Sequence, residues 1–370
     1  MPKIVSVHSF RHGTGQSNLT ANLAVSIARQ GHHVGVINTQ PAGVHTLFGV
    51  DNDKIDHVLN YYLWGGLTDG GVVKDGSPSL KIEEGEITVM GGGVYLSPSH
   101  IRVSDVPRLL RQGHDMGSLS QGFLDLSRRL DLDCLFIETN PGLGEDTLLS
   151  IALCDVLLLI LSLDHQNFQG VAVTVDIARK LGVPKILLVA NQVLSSFESE
   201  EVKERLERTY GESVAAVLPF SEEMLELASR GVFCLHYPEH PLTNQFEAIA
   251  QQILTLESRE QATTATAQQA AQVTQPTIEL NMFHVLTLPE AQRRVISCII
   301  RRGKATLTEI ATSLGQEEAT VYPILGTLIE QGFVQTSEIE GKLQYRPYMA
   351  VRQRRQSSQT FWQALDEEVR

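Results

Sequence analysis

Lys3-Ile4-Val5-Ser6-Val7-His8-Ser9, then Phe10-Arg11-His12-Gly13-Thr14-Gly15-Gln16-Ser17, then the run from Asn18 to Gln30 follow one another with no spare residue, and that order decides the fold. The first stretch is an apolar strand, the second a glycine loop, the third a helix. Gly31 stands where a helix closes in the left-handed conformation that glycine adopts most cheaply, and a second strand follows at Val34-Gly35-Val36-Ile37. This is a βαβ opening. A tight glycine loop between a strand and a helix N-terminus gathers backbone N–H groups and the positive end of the helix dipole at one point, an arrangement that holds a phosphate. The full pattern G-x-x-x-x-G-K-[ST] also needs a lysine as counter-charge and a hydroxyl for magnesium. Here Ser17 supplies the hydroxyl, Gln16 stands at the lysine position and Phe10 replaces the first glycine. The loop keeps its shape and loses its charge.

With these residues in view the chain resembles the MinD/ParA group of deviant Walker-A ATPases, whose loop reads K-G-G-x-G-K-[ST]. The likeness extends over roughly the first 255 residues. Asn22-Leu23-Ala24 falls where the family has its A-N-L-A run, and Asn38-Thr39-Gln40-Pro41-Ala42-Gly43 is similar to its D-x-D-P-Q-G segment. Glu138-Thr139-Asn140-Pro141-Gly142 resembles its D-T-P-P-G, at the end of the strand Cys134-Leu135-Phe136-Ile137. Asn191-Gln192 sits where the family has its adenine-reading asparagine, and the stretch from Leu218-Pro219-Phe220-Ser221 to Ala228-Ser229-Arg230-Gly231 matches its base-contacting loop and following helix. The resemblance implies ATP or ADP with magnesium at Arg11, Gly13, Thr14, Gly15, Gln16, Ser17, Asn191 and Pro219. Ser17 would be the magnesium ligand, Asn38, Gln40 and Glu138 would be the switch positions, and the chain would form a homodimer in which Arg11 reaches toward the partner copy.

The departures carry as much weight as the matches. Where the family has two loop lysines, the two aspartates of D-x-D and the aspartate of D-T-P-P-G, this chain has Arg11, Gln16, Asn38, Gln40 and Glu138, so only Arg11 and Glu138 keep their charge. A charged hydrogen bond to phosphate contributes about 1.5–3 kcal/mol net, so Gln16 weakens a nucleotide without excluding it. Catalysis suffers more, because phosphoryl transfer depends on positioning and on neutralising developing charge. A cation and its counter-anions have gone together, which describes an electrostatically consistent neutral site. The sequence therefore predicts little or no hydrolysis and no catalytic residue, with a slow ATPase as the alternative.

The 370 residues suggest two or three domains, and 42% apolar composition suffices for a full core. The net charge of −13 is uneven. From Phe283 to Arg370 there are 11 Lys+Arg against 10 Asp+Glu, leaving 19 against 33 in the first 282 residues, so the N-terminal domain has no basic face for unspecific DNA binding. The four cysteines, Cys134, Cys154, Cys234 and Cys298, form no C-x-x-C pair and suggest buried thiols in a cytoplasmic protein. The sequence shows no N-terminal signal pattern. Its most apolar run, Val156 to Leu163, fits a buried parallel strand and falls far short of the ~20 residues that span a bilayer.

Val58 to Gly65 reads as a short helix and Ile87 to Gly93 as a strand entering a glycine turn. Ser104 to Leu130 has helical spacing interrupted near Gly113 and Gly117. After Val156 come a connection from Asp164 to Gly170, a helix from Val171 to Leu181, and the strand Ile186 to Ala190. Strands alternating with helices argue for an α/β, doubly wound, mainly parallel sheet. His12 and His165 are the two histidines nearest the presumed site, with no base or metal ligand paired to them in sequence, which suits structural or solvated histidines. The core domain is assigned to 1–256, a Gln/Ala/Thr-rich linker to 257–282, with an exposed helix as the alternative for Gln261 to Gln272, a second domain to 283–350 and a tail to 351–370.

The second domain reads helix (Ala291 to Arg302), helix (Leu307 to Leu314), helix (Ala319 to Gln331) and hairpin around Glu340-Gly341, which is a winged helix. It resembles the TrmB and MarR-like regulators. DNA binding follows from that fold, yet the presumptive recognition helix opens on Glu317-Glu318 and has no lysine or arginine through Gln331. The candidate DNA contacts are Arg293, Arg294, Arg301 and Arg302, with Arg352, Arg354 and Arg355 in the tail. The opposing reading is a protein partner or a second copy of the chain, with the stripe Phe361, Trp362, Leu365 and Val369 as the contact. Asp366, Glu367 and Glu368 on the tail argue against a membrane-seeking helix.

Overall fold

The computed structural model describes residues 2–38, 43–49, 93–97, 130–256, 281–339 and 342–348, together with positions 123 and 127. Gln40, the helix read at 58–65, the span 98–122, the linker 257–280 and the tail arginines and apolar stripe beyond 348 lie outside the described residues. Among the described residues seven strands form one sheet in which every pairing is parallel: β1 (Lys3–Ser9), β2 (His33–Asn38), β3 (Gly93–Ser97), β4 (Cys134–Glu138), β5 (Val156–Leu161), β6 (Lys185–Val193) and β7 (Ser213–Pro219). Their order is β3-β2-β4-β1-β5-β6-β7, so β1 is central and the chain winds outward on both sides. Strands covered on both faces read as near-continuous apolar runs, and β4 and β5 are buried at every residue and, apart from the terminal Glu138 of β4, apolar.

The helices α1 (Gln16–Ala28), α2 (Glu145–Leu153), α3 (His165–Lys180), α4 (Ser199–Tyr210), α5 (Glu222–Leu227), α6 (Phe233–His236) and α7 (Pro241–Thr255) belong to the same unit. Two buried apolar clusters result, one containing Leu135, Ile137, Leu149 and Val175, the other Val5, Leu23, Ile27 and Phe246. β3 pairs with β2 over Gly93 to Ser97, and residues 87–92 of the strand read there lie outside the described residues. One expectation shifts. The stretch from His165 to Gly170, read as connection, is the first part of α3, because the Asp164 carboxylate accepts from Asn167 N at 3.0 Å and caps the helix there.

The C-terminal unit comprises α8 (Met282–Thr287), α9 (Glu290–Arg302), α10 (Leu307–Leu314), α11 (Glu318–Glu330) and the antiparallel pair β8 (Val334–Ile339) and β9 (Lys342–Pro347). A Thr306/Glu309 capping box starts α10, and a bridge between Ala305 and Tyr345 adds a third rung to the wing. This is the expected winged helix. It does not stand apart, because α8 and α9 lie against α2 and the residues of both units share one buried cluster.

Candidate functional site: the glycine loop and its cleft

The C-terminal ends of β1, β2 and β4 converge in register, with Glu138 paired to Val7 on one side and Asn38 on the other, and the loop after β1 closes over them. Gly13 and Gly15 take φ of 81° and 86°, a left-handed geometry that only glycine accepts cheaply. Gly15 caps α1, whose first-turn N–H groups have no intrahelical partner. The phosphate-holding shape is therefore present.

The side chains around it face elsewhere. Gln16 is 7% exposed; its Nε2 donates to Val7 O at 2.9 Å and Thr139 O at 2.8 Å, while its Oε1 accepts from Ser9 Oγ at 2.8 Å. The amide at the lysine position is thus tied into the sheet beneath the loop. Ser17 Oγ donates to Glu138 Oε1. Burial raises the Glu138 carboxyl to about 7, more than the bonds from Ser17 and Val44 N lower it. Asn38 is buried beneath Gly43, where an added Cβ would come within 2.2 Å of its amide nitrogen. Arg11 Nη1 meets Asp164 Oδ1 at 3.3 Å with both side chains about half exposed, a pair contributing on the order of 0–1 kcal/mol. His12 and His165 are exposed, whereas His8 is buried, its Nδ1 is 2.7 Å from Thr139 Oγ1, and burial lowers its pKa to about 4.

Two further amides hold the loop from the side. The pairing of β6 with β7 slips between Ala190 and Val193, and Gln192 takes φ of 59° there. The bulge turns Asn191 Nδ2 onto Thr14 O at 2.8 Å and Gln192 Nε2 onto Gly13 O at 3.1 Å. Beside them opens a cleft of about 190 Å³, below the roughly 300–1,000 Å³ of enclosed small-molecule pockets. Its lining includes the polar Asn18, Asn191 and Gln192 beside Gly15, and the apolar Leu19, Leu218, Pro219, Phe220, Met224 and Phe246. The structure thus brings Gly15, Asn191 and Pro219 to one cleft and keeps Gln16 and Glu138 beneath the loop. Gln192 and Asp164 escaped the sequence reading as loop contacts. An aspartate three residues before Asn167 signals the helix cap, but nothing in sequence pairs it with Arg11.

The four candidate DNA arginines divide. Arg301, 8% exposed, donates from Nε to Ala152 O at 3.2 Å and from Nη2 to Leu181 O at 3.2 Å and Gly182 O at 2.7 Å. Arg293 donates to Lys180 O and Leu288 O, both at 3.0 Å. Arg301 is thus turned inward and presents nothing to a phosphate, because α9 packs on the α/β unit and the carboxyl ends of α2 and α3 require donors there. Arg294 and Arg302 make only long bonds, each 3.5 Å, to Leu314 O and Ser313 Oγ. Among the described residues no helix is long and apolar enough to cross a membrane, and no three His, Cys, Asp or Glu cluster as metal ligands.

Known proteins place this geometry. Residues 5–233 match the family described as the CobQ/CobB/MinD/ParA nucleotide binding domain, and residues 294–338 match the IclR helix-turn-helix domain. An uncharacterised ATP-binding protein of Methanocaldococcus jannaschii is 22% identical over 254 residues, which are 68% of this chain and 87% of that protein. An iron-sulfur cluster carrier protein of Aquifex aeolicus is 23% identical over 264 residues, 67% of this chain and 66% of its own length. The cell division ATPase MinD of Pyrococcus furiosus superposes with a TM-score of 0.54 at 21% identity, covering 70% of this chain and all of that one. MinD of Pyrococcus horikoshii, complexed with Mg-ADP, superposes with a TM-score of 0.51 at 20% identity over 69% of this chain and 97% of its own.

Proposed function

We propose, for a chain that belongs to the CobQ/CobB/MinD/ParA family of nucleotide-binding domains and carries a C-terminal helix-turn-helix, a dimeric regulatory or scaffolding role with little or no ATP hydrolysis. The observation that carries this reading is the inward saturation of Gln16. Its three hydrogen bonds leave no side chain at the lysine position to meet a phosphate, and a neutral amide could not neutralise transition-state charge if it did.

The base and the inner phosphates of an adenine nucleotide would meet a small open cleft lined in part by Asn191 and Pro219, and a backbone loop at a helix N-terminus. Magnesium and a γ-phosphate fit poorly. Ser17 already donates to Glu138, burial holds that carboxyl near neutral, and Asn38 is an amide. A role as carrier of an iron-sulfur cluster finds no support either. All four cysteines are buried on separate elements, with the thiols of Cys134 and Cys154 pushed up to about 12. For the dimer, Arg11 is the group able to swing outward, since only a solvent-exposed pair restrains it.

The reading is tested by incubating the purified protein with ATP and magnesium. No phosphate release above background is expected; turnover that disappears in Ser17→Ala would overturn the reading and restore the slow-ATPase alternative. Arg11→Ala is expected to shift sedimentation toward the monomer. The other alternative, a transcription regulator dimerised through the α/β unit, draws on the helix-turn-helix match but has Arg301 and Arg293 already engaged within the chain.

A further inference from the structure

The winged unit touches the α/β unit where two helices end. α9 sends Arg301 to the carbonyls of Ala152, in the last turn of α2, and of Leu181 and Gly182, just past α3, and sends Arg293 to the carbonyl of Lys180. Helix C-termini carry orphan carbonyls and the negative end of the dipole, so two guanidinium groups from one helix complete two others. The opposite end of α3 meets the loop, and that of α2 meets the turn after β4 that lies beneath it. Phe10 lies against α3 at Gly170, where an added Cβ would come within 2.1 Å of the ring, and Arg11 pairs with the α3 cap Asp164 at 3.3 Å. Asn140, two residues after Glu138, donates to Asp146 Oδ2 at 2.7 Å and accepts from Thr147 Oγ1 at 3.1 Å, both in the first turn of α2. At about 1.5 Å per residue, the 9 residues of α2 and the 16 of α3 make rods of roughly 14 and 24 Å.

We infer that the docking of the winged unit and the conformation of residues 10–17 are one coupled equilibrium, carried by α2 and α3. A ligand that draws Arg11 and Phe10 from α3 loosens the seat of α9, and a partner that pulls on the winged unit changes the loop. Linkage makes the two effects equal in free energy. The inference rests on the loop being the ligand-sensing part of the chain, but its test needs no nucleotide, so it stands or falls separately from the hydrolysis assay.

Hydrogen exchange on the full-length, ligand-free chain compares the wild type with Arg301→Met, which keeps bulk at the interface, and with Phe10→Ala/Arg11→Ala at the distant end. Arg301→Met is expected to speed exchange at residues 145–153 and 177–182 and also, by about fivefold, at residues 10–17. The loop variant is expected to speed exchange at residues 290–302 in return. Effects confined to the altered end in either variant overturn the inference. If Arg301→Met fails to fold, the loop variant, which changes one exposed and one half-buried side chain, decides alone.

Discussion

Replacing Gln16 by leucine keeps the side-chain volume and removes three hydrogen bonds, to Val7 O, Thr139 O and Ser9 Oγ. The bonds are not equally missed. Val7 O retains two donors, Thr139 N and Thr139 Oγ1, both at 3.1 Å, and Ser9 Oγ retains Arg11 O at 2.8 Å, whereas Thr139 O loses a buried 2.8 Å donor. At about 1 kcal/mol net per bond, with less for the groups that keep other partners, the sum is about 2 kcal/mol. For a unit of this size each kcal/mol moves the melting temperature by about 2–4 °C, so Gln16→Leu should melt about 4–8 °C below wild type in a calorimetric scan. A shift under about 1 °C would mean that the amide is not structural, and the account of the loop given above would fail with it.

Lys3 donates to the carbonyls of Ile253 and Leu254 at 2.7 and 2.9 Å and also to Leu256, closing the end of α7, so Lys3→Met should cost about 2–3 kcal/mol in urea unfolding; an unchanged midpoint refutes this. Glu138, raised from 4.5 to about 7, binds a proton in the folded protein that the unfolded chain releases, so its contribution to stability is present below pH 4.5 and lost as pH rises through 7. Urea midpoints at pH 5 and pH 8 should therefore differ less in Glu138→Gln than in wild type, and equal differences would refute the assignment. In mobility-shift assays at physiological salt the whole chain should bind DNA weakly and without sequence preference, through Arg294 and Arg302. Tight, selective binding lost on substituting Thr320 or Tyr322, which is 59% exposed at the start of α11, would show a standard recognition helix.

The α/β fold was legible because its signals are local: an apolar run, a glycine loop and a helix in 30 residues, repeated around the motifs at Glu138 and Asn191. The winged helix was legible for the same reason, in its capped short helices and its hairpin. What escaped were relations between distant residues. Gln16 was recognisable as a missing charge, but its bonds to Val7 and Thr139 depend on how β1 and β4 lie together, and sequence spacing carries no such information. The arginines of α9 looked like a basic patch because a helical face shows its charges, not what covers it. Arg301 is buried by a helix 149 residues earlier in the chain.

These relations bear on how a loop without its lysine could still signal. A lysine at position 16 would be a charge awaiting an anion, and the loop would order fully only when a phosphate arrived. Glutamine brings both donors and an acceptor, so the groups under the loop satisfy one another with no ligand present. Asn191 and Gln192 add two more internal donors from the side. With Gln16 held from below, the loop side chain restrained only by a solvent-exposed pair is Arg11, and beside it Phe10 packs on Gly170. Both rest on α3, whose far end carries Arg293 and Arg301 of the winged unit. On the coupling we infer, the lost loop charges would leave α3 between loop and winged helix intact, and the proposed regulatory role would then need no hydrolysis to report on the cleft.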